Sequence, residues 1–191
     1  MSDAPLIQGS GLGAVRGERV LFRDISVSAK PGELVLLRGA NGSGKTTLLR
    51  QLAGLSEPHA GTIERAGLHH WIGHTNGLKA YETPRSHLRH WARVWGSNKD
   101  TGQVLKEMSM ARPADVPCRM LSAGQKRRTA LARLKLETRD LWLLDEPFNA
   151  LDTDGQALLA EMISEHRSEG GAVIAALHGT APIEPSAEVS L

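Results

Sequence analysis

Gly39-Ala40-Asn41-Gly42-Ser43-Gly44-Lys45-Thr46-Thr47 carries the strongest structural signal in this chain. The apolar run Leu34-Val35-Leu36-Leu37 precedes it, and Leu48-Leu49-Arg50-Gln51-Leu52-Ala53, closed by Gly54, follows with helical spacing. Strand, glycine-rich loop and helix in that order form the context of a phosphate-binding loop, and the pattern G-x-x-x-x-G-K-[ST] is complete. The glycines let an anion approach the backbone, so that several N–H groups face one phosphate. The helix directs its positive end to the same point. Lys45 adds a full charge, and Thr46 offers a hydroxyl to a magnesium ion that bridges phosphates. All residues from Gly39 to Thr47 are therefore expected to bind nucleotide, with Thr46 also a metal ligand.

A second element lies at Leu141-Trp142-Leu143-Leu144-Asp145-Glu146-Pro147, an apolar run that ends in two carboxylates. Continuous apolar strands suit a parallel sheet covered on both faces, and ligands of such sheets sit at the carboxyl ends of the strands. Asp145 can then reach the metal held by Thr46, and Glu146 can polarise a water for attack on the terminal phosphate. The third element is Leu121-Ser122-Ala123-Gly124-Gln125, which opens a helix about twenty residues before the carboxylates. Ser122 and the first N–H groups there make a second anion-binding helix terminus.

With these three motifs in this order, the chain resembles the nucleotide-binding subunits of ABC transporters, whose signature is Leu-Ser-x-Gly-Gln. The resemblance covers nearly the whole chain. It implies an α/β P-loop NTPase fold of ABC type: a mostly parallel sheet, an N-terminal antiparallel β subdomain and an inserted helical subdomain at about residues 76–127, all within one domain of residues 1–191. It also implies ATP and magnesium as ligands and a head-to-tail dimer with a second copy. Ser122, Gly124 and Gln125 of one copy would then meet the γ-phosphate held by the other. Asn149-Ala150-Leu151-Asp152 matches the loop after the catalytic Glu146, with Asp152 coupling the two sites. His178, just past a buried strand, matches the histidine that contacts the γ-phosphate. An aromatic residue usually stacks on adenine near position 16; here Arg16 offers its planar guanidinium. Thr75 stands where ABC proteins place the magnesium-binding Gln, and its shorter reach leaves space for a water.

Within the superfamily the chain looks like the CcmA-type ATPases of cytochrome c maturation. The likeness rests on Trp-Ile-Gly-His-x-x-Gly-Leu-Lys at 71–79, Leu-Ser-Ala-Gly-Gln-Lys-Arg-Arg at 121–128, and Leu-Asp-Glu-Pro-Phe at 144–148. Ser86-His87 departs from the Glu-Asn usual in that group. Proteins of this kind work with small integral membrane subunits on the cytoplasmic face of a bacterial inner membrane, in haem export or in release of a haem-loaded periplasmic chaperone. Other readings are an ATPase of a different small-substrate exporter, a soluble ABC protein, and a nucleotide-binding module that no longer hydrolyses. Soluble ABC proteins usually carry duplicated domains or coiled-coil insertions, and neither is visible here. Glu146 and His178 speak against a silent module.

The remaining sequence is compatible with this. In Thr83-Pro84 a cap precedes a first-turn proline, and Leu88, Trp91, Ala92 and Trp95 form one helical stripe, which reads as packing and not as a cofactor shelf. A further helix is expected over Gly102–Met110 and another over Ala123–Leu136. Asp152 should cap a helix that carries Leu159, Met162, Ile163 and His166. Short strands are expected at Val20–Phe22 and Ile25–Ala29, and a strand pair around Thr62–Glu64 and His70–Gly73. The tail beyond His178 is weakly specified.

At 191 residues, 40% hydrophobic and 23% charged, with net charge +2, the chain has an ordinary globular balance and no nucleic-acid-binding signature. Lys126-Arg127-Arg128, Arg133 and Lys135 read as a solvated helix face. The longest apolar run, Ala172–Leu177, is far shorter than the ~20 residues of a membrane span. A peripheral cytoplasmic protein, without direct membrane insertion, is the expectation. The single cysteine, Cys118, excludes an intrachain disulfide. The eight histidines are framed by no haem-ligand motif.

Overall fold

The computed structural model describes residues 4–179 and 182–191. The chain divides into two units. The first contains the residues up to His74, Arg139–Pro147 and those from Ala160 on; the second contains Thr75–Thr138 and Phe148–Leu159.

The first unit holds two sheets. In one, β1 (Ile7–Arg16) lies between β2 (Arg19–Ala29) and β4 (Ala60–Arg65), antiparallel to both. The two short strands expected at Val20–Phe22 and Ile25–Ala29 are one strand. Asp24 interrupts their alternation because it sits at φ 55°, in a bulge where the β1–β2 register shifts between Leu12 and Ala14. The other sheet is entirely parallel, in the order β5 (His69–Ile72), β6 (Leu141–Asp145), β7 (Ala172–Ala176), β3 (Leu34–Arg38), β8 (Ala187–Ser190). β6 and β7 are buried along their whole length, as their unbroken apolar sequences require.

Two expectations are corrected here. Thr62–Glu64 and His70–Gly73 do not pair with each other: the first lies in β4 of the antiparallel sheet, and the second forms most of β5, the edge strand of the parallel one, with Gly73 just beyond its end. Non-local backbone partners decide this, Ile7 opposite Arg65 and His70 opposite Trp142, and neither partner can be read from local periodicity. The tail also forms a strand, β8, through pairs from Val35–Ala187 to Arg38–Ser190. Ala187-Glu188-Val189-Ser190 has no apolar run because an edge strand is solvated; the Arg38 guanidinium meets Glu188 at 2.9 Å.

The core of this unit gathers Leu12, Val27, Val35, Leu37, Leu143 and Ile174 from the strands, with Leu48, Leu49 and Leu52 of α1 (Lys45–Leu52). Every turn of α1 is thereby anchored, which holds its N-terminus, and with it the glycine-rich loop, against the sheet.

α5 (Thr153–Ser168) ends beside this sheet, where His166 stacks on Trp142 with centroids 4.0 Å apart and planes 5° from parallel. Gly171 is required there, since a Cβ would stand 2.1 Å from the imidazole. Burial lowers the His166 pKa below its ordinary 6.5, and burial acts in the same direction on His69 and His87. A histidine that resists protonation in the folded state contributes stability that is complete above its unfolded pKa and is lost as pH falls below it. The melting midpoint should therefore fall between about pH 7.5 and about pH 5.5. His166→Phe, which keeps a ring on Trp142, should flatten that fall; an unchanged pH dependence would remove His166 from the account.

The second unit is helical. α2 (Pro84–Trp95) begins in a capping box between Thr83 and Ser86, and Gly96 ends it at φ 68°. α3 (Thr101–Glu107) is capped by Asp100. The helix expected over 123–136 is α4 (Ala123–Leu131), tightened into a 3₁₀ turn over Ala132–Lys135, as helix ends often are. The basic stretch is not one solvated face. Arg127 and Arg133 are buried; Arg127 donates to Asn76 Oδ1 at 3.2 Å, and the Arg133 guanidinium lies 5.3 Å from the Trp91 ring centre. Burial brings the Arg133 pKa down to about 10. Trp91 and Trp95 face each other at 4.9 Å, a packing role. Cys118 is buried, which pushes its thiol pKa up, the opposite of what a nucleophile needs.

Candidate nucleotide-binding site

Three adjacent parallel strands, β6, β7 and β3, end along one edge of the sheet. β3 runs into the glycine-rich loop, β7 toward His178, and β6 into Asp145 and Glu146. The sheet thus brings together residues far apart in sequence. Thr46 Oγ1 donates to Asp145 Oδ2 at 2.9 Å, and Asp145 is 1% exposed. Lys45 Nζ donates to the carbonyls of Gly39 and Ala40 at 2.7 and 3.0 Å and lies 3.4 Å from His178 Nε2. His178 Nε2 is 3.8 Å from Glu146 Oε1.

The loop can be built only with glycine at its end. Gly44 has φ 110°, and a Cβ there would stand 2.7 Å from the Phe22 ring. The Ser43 hydroxyl is buried with no hydrogen-bond partner among the described residues, a donor placed in the loop where a phosphate oxygen would accept it. Asn41 and Gly42 face solvent.

Glu146 occupies the left-handed region at φ 48°, which costs a non-glycine residue on the order of 1–2 kcal/mol. Its N–H is held by the Ala176 carbonyl at 2.9 Å. Its second carboxylate oxygen, Oε2, lies 3.2 Å from His74 Nδ1.

In the second unit, Ser122 caps α4. Its Oγ accepts from the Gln125 N–H at 3.2 Å, and Gln125 Oε1 accepts from the Ser122 N–H at 3.0 Å. Gly124 lies so close to the next loop that a Cβ would stand 2.8 Å from the Ala150 carbonyl oxygen. Asp152 caps α5 through the Gly155 N–H at 3.0 Å and pairs with Arg128 of α4. The Gly155 hydrogen bond, followed by Arg128, holds the Asp152 carboxyl below its usual range. Thr75 is exposed at the start of this unit, and Arg16 is exposed at the β1–β2 turn of the first.

A sequence profile described as ABC transporter matches residues 22–149. The chain belongs to the ABC transporter family. It is 56% identical, over 100% of its own length and 99% of the other, to a Hyphomonas neptunium protein named "Cytochrome c biogenesis ATP-binding export protein CcmA". Proteins of the same name from Maricaulis maris and Methylococcus capsulatus are each 44% identical, covering 88% and 93% of this chain and 84% and 93% of theirs. Among solved structures, an ATP-binding subunit of an ABC transporter superposes with TM-score 0.80 at 25% identity, covering 91% of this chain and 79% of that one. A putative ABC transporter ATP-binding protein from Pyrococcus furiosus superposes with TM-score 0.81 at 22% identity, over 97% and 96%, which speaks to the fold.

As an ABC ATPase of the CcmA type, the chain binds ATP, and the edge described above gathers the glycine-rich loop, Asp145, Glu146 and His178. The donor set suits magnesium. Thr46 and Asp145 present hard oxygens side by side, and magnesium commonly takes one or two protein oxygens and completes its shell with phosphate and water. Among the described residues no group of three or more His, Cys, Asp or Glu is placed to hold a metal ion. No helix among them is long and apolar enough to cross a membrane.

Two contacts of this ABC ATPase escaped the sequence reading. Arg128 looked like one more surface charge, yet it ties the signature helix to Asp152; nothing local distinguishes it from Lys126. His74 counts in the sequence only within the likeness at 71–79, yet it faces Glu146. Its position two residues beyond the short strand His69–Ile72 was the available signal.

Proposed function

We propose that this chain is the ATP-hydrolysing subunit of an ABC complex in cytochrome c biogenesis, working on the cytoplasmic face of a bacterial inner membrane. The work done would be haem export or release of a haem-loaded periplasmic chaperone. Full-length likeness to proteins named for that export carries the assignment, and the strand-end geometry supplies the chemistry.

In this reading Gly39–Thr47 surround the ATP phosphates with backbone N–H groups, and the Ser43 hydroxyl gains the acceptor it lacks. Lys45 exchanges the loop carbonyls for β- and γ-phosphate oxygens. Thr46 and Asp145 would hold the magnesium ion, which would supply charge neutralisation to the phosphates. Glu146 accepts a proton from the attacking water. The water oxygen bonds to the γ-phosphorus, and the bond to the bridging oxygen of ADP breaks. His178, between Lys45 and Glu146, orients the γ-phosphate. Arg16 stacks on the adenine. Thr75, of shorter reach than the usual Gln, acts on the metal through a water. Ser122, Gly124 and Gln125 of a second, head-to-tail copy close the site, and Asp152 couples the two copies, its Arg128 partner passing the signature helix's position to the loop after Glu146.

A pull-down from detergent-solubilised membranes tests the pathway, with the Glu146→Gln chain as bait in ATP and magnesium. Small integral membrane subunits and a haem chaperone are the expected catch. A different permease would overturn the pathway and keep the ATPase; no membrane partner would overturn the transporter reading.

A further inference from the structure

We infer that Arg38 is a positioning residue for His178, holding the turn that carries the imidazole toward the nucleotide. The inference rests on His178 as the group that orients the γ-phosphate. One residue before His178, the Leu177 N–H donates to the Leu37 carbonyl of β3 at 3.3 Å. One residue after it, Gly179 turns the chain at φ 73°, and a Cβ there would meet no described residue within 4 Å. Packing by those residues therefore does not fix the turn. The Gly179 carbonyl instead accepts a hydrogen bond from Arg38 Nη1. Arg38 closes β3, the strand beside β7, and stands immediately before the glycine-rich loop.

The tail strand aims the guanidinium. Arg38 Nε and Nη2 both donate to Glu188 Oε1, at 3.0 and 2.9 Å. A guanidinium is a rigid plane, so a carboxylate that holds two of its nitrogens sets the direction of the third. β8 supplies that carboxylate in register. Leu36 is opposite Glu188 and Arg38 opposite Ser190, which puts the Arg38 and Glu188 side chains on one face of the sheet. Ahead of β8, the Ser186 hydroxyl accepts from the Leu34 N–H at 3.2 Å and ties the start of the strand to β3. Glu188 thus orients Arg38, Arg38 holds Gly179, and His178 Nε2 comes to 3.4 Å from Lys45 Nζ. The Arg38 and Glu188 side chains are 23% and 46% exposed, and ion pairs at the surface add little to stability. Loss of Arg38 should therefore appear in turnover and not in melting.

The test is ATP hydrolysis by the full chain together with the membrane proteins it co-purifies with, beside equilibrium ATP binding and melting. Arg38→Met should lower kcat about tenfold, the worth of a hydrogen bond from a charged donor, with ATP affinity and the melting midpoint unchanged. Glu188→Ala, a change on the solvated edge strand, serves where Arg38→Met does not fold; it should lower kcat about threefold, the worth of an exposed ion pair. In a His178→Ala background Arg38→Met should cost nothing further, because Arg38 acts through the imidazole. Single-turnover rates at saturating ATP read this even where turnover is slow. Unchanged kcat in Arg38→Met, or in Glu188→Ala standing in for it, would overturn the inference. So would losses that multiply in the double variant, or an ATP affinity that falls with kcat, which would make Arg38 a support of the glycine-rich loop. His178→Ala alone separates the layers. If it is slow while Arg38→Met is normal, only the role of Arg38 falls; if it turns over normally, the role of His178 falls first and the inference with it.

Discussion

Glu146→Gln should bind ATP as the native chain does and hydrolyse it about 10²–10⁴-fold more slowly, the usual contribution of a positioned base. The amide has the shape of the carboxylate, so the side chain keeps its place between His74 and His178. What it loses is the lone pair basic enough to take a proton from water. The backbone strain at φ 48° is not relieved by the exchange, so folding should be unaffected. Phosphate release measured beside equilibrium nucleotide binding separates the two effects. Near-normal turnover would place the base elsewhere, and weakened binding would mean that the substitution disturbs the loop.

Lys45→Ala should abolish useful ATP binding. Lys45 is 6% exposed, and its ammonium group is held among the Gly39 and Ala40 carbonyls and His178 at the mouth of the loop. A unit charge pair at ~4 Å in a partly screened site is worth about 4 kcal/mol before desolvation. At ~1.4 kcal/mol per tenfold, that corresponds to an affinity loss approaching ~10³-fold. Calorimetric titration with ATP and magnesium reads it directly. Unchanged affinity would overturn the phosphate-loop assignment. The fold should survive, because α1 is anchored by Leu48, Leu49 and Leu52 on its other side.

Much of the site was legible because its motifs are local. A loop that cradles phosphate needs glycines at fixed offsets, and Gly44 shows why: both its φ and the Phe22 ring forbid a side chain. Capping is local too, and Ser122, Thr83 and Asp152 cap the helices their sequence contexts announced. Strand partners are not local. Thr62–Glu64 and His70–Ile72 look alike as short β-prone runs, yet they entered different sheets. The tail, a solvated edge strand, left only a short alternation, Ala187, Val189 and Leu191, too brief to mark a strand. The long basic stretch divided by burial, Arg127 and Arg133 inward and Arg128 onto Asp152, which charge counting does not resolve.

The amino-acid sequence by itself determined the α/β class, the phosphate loop, the strand ending in Asp145 and Glu146, and the capped signature helix, since each is set by residues within one or two turns of one another. The tertiary structure alone decided that β7 runs between β3 and β6, so that His178 reaches both Lys45 and Glu146, and that β5 borders β6, so that His74 faces the same carboxylate. Strand order is a matter of non-local hydrogen-bond pairing, and it is this pairing that gathers residues 46, 74, 145, 146 and 178 at one edge.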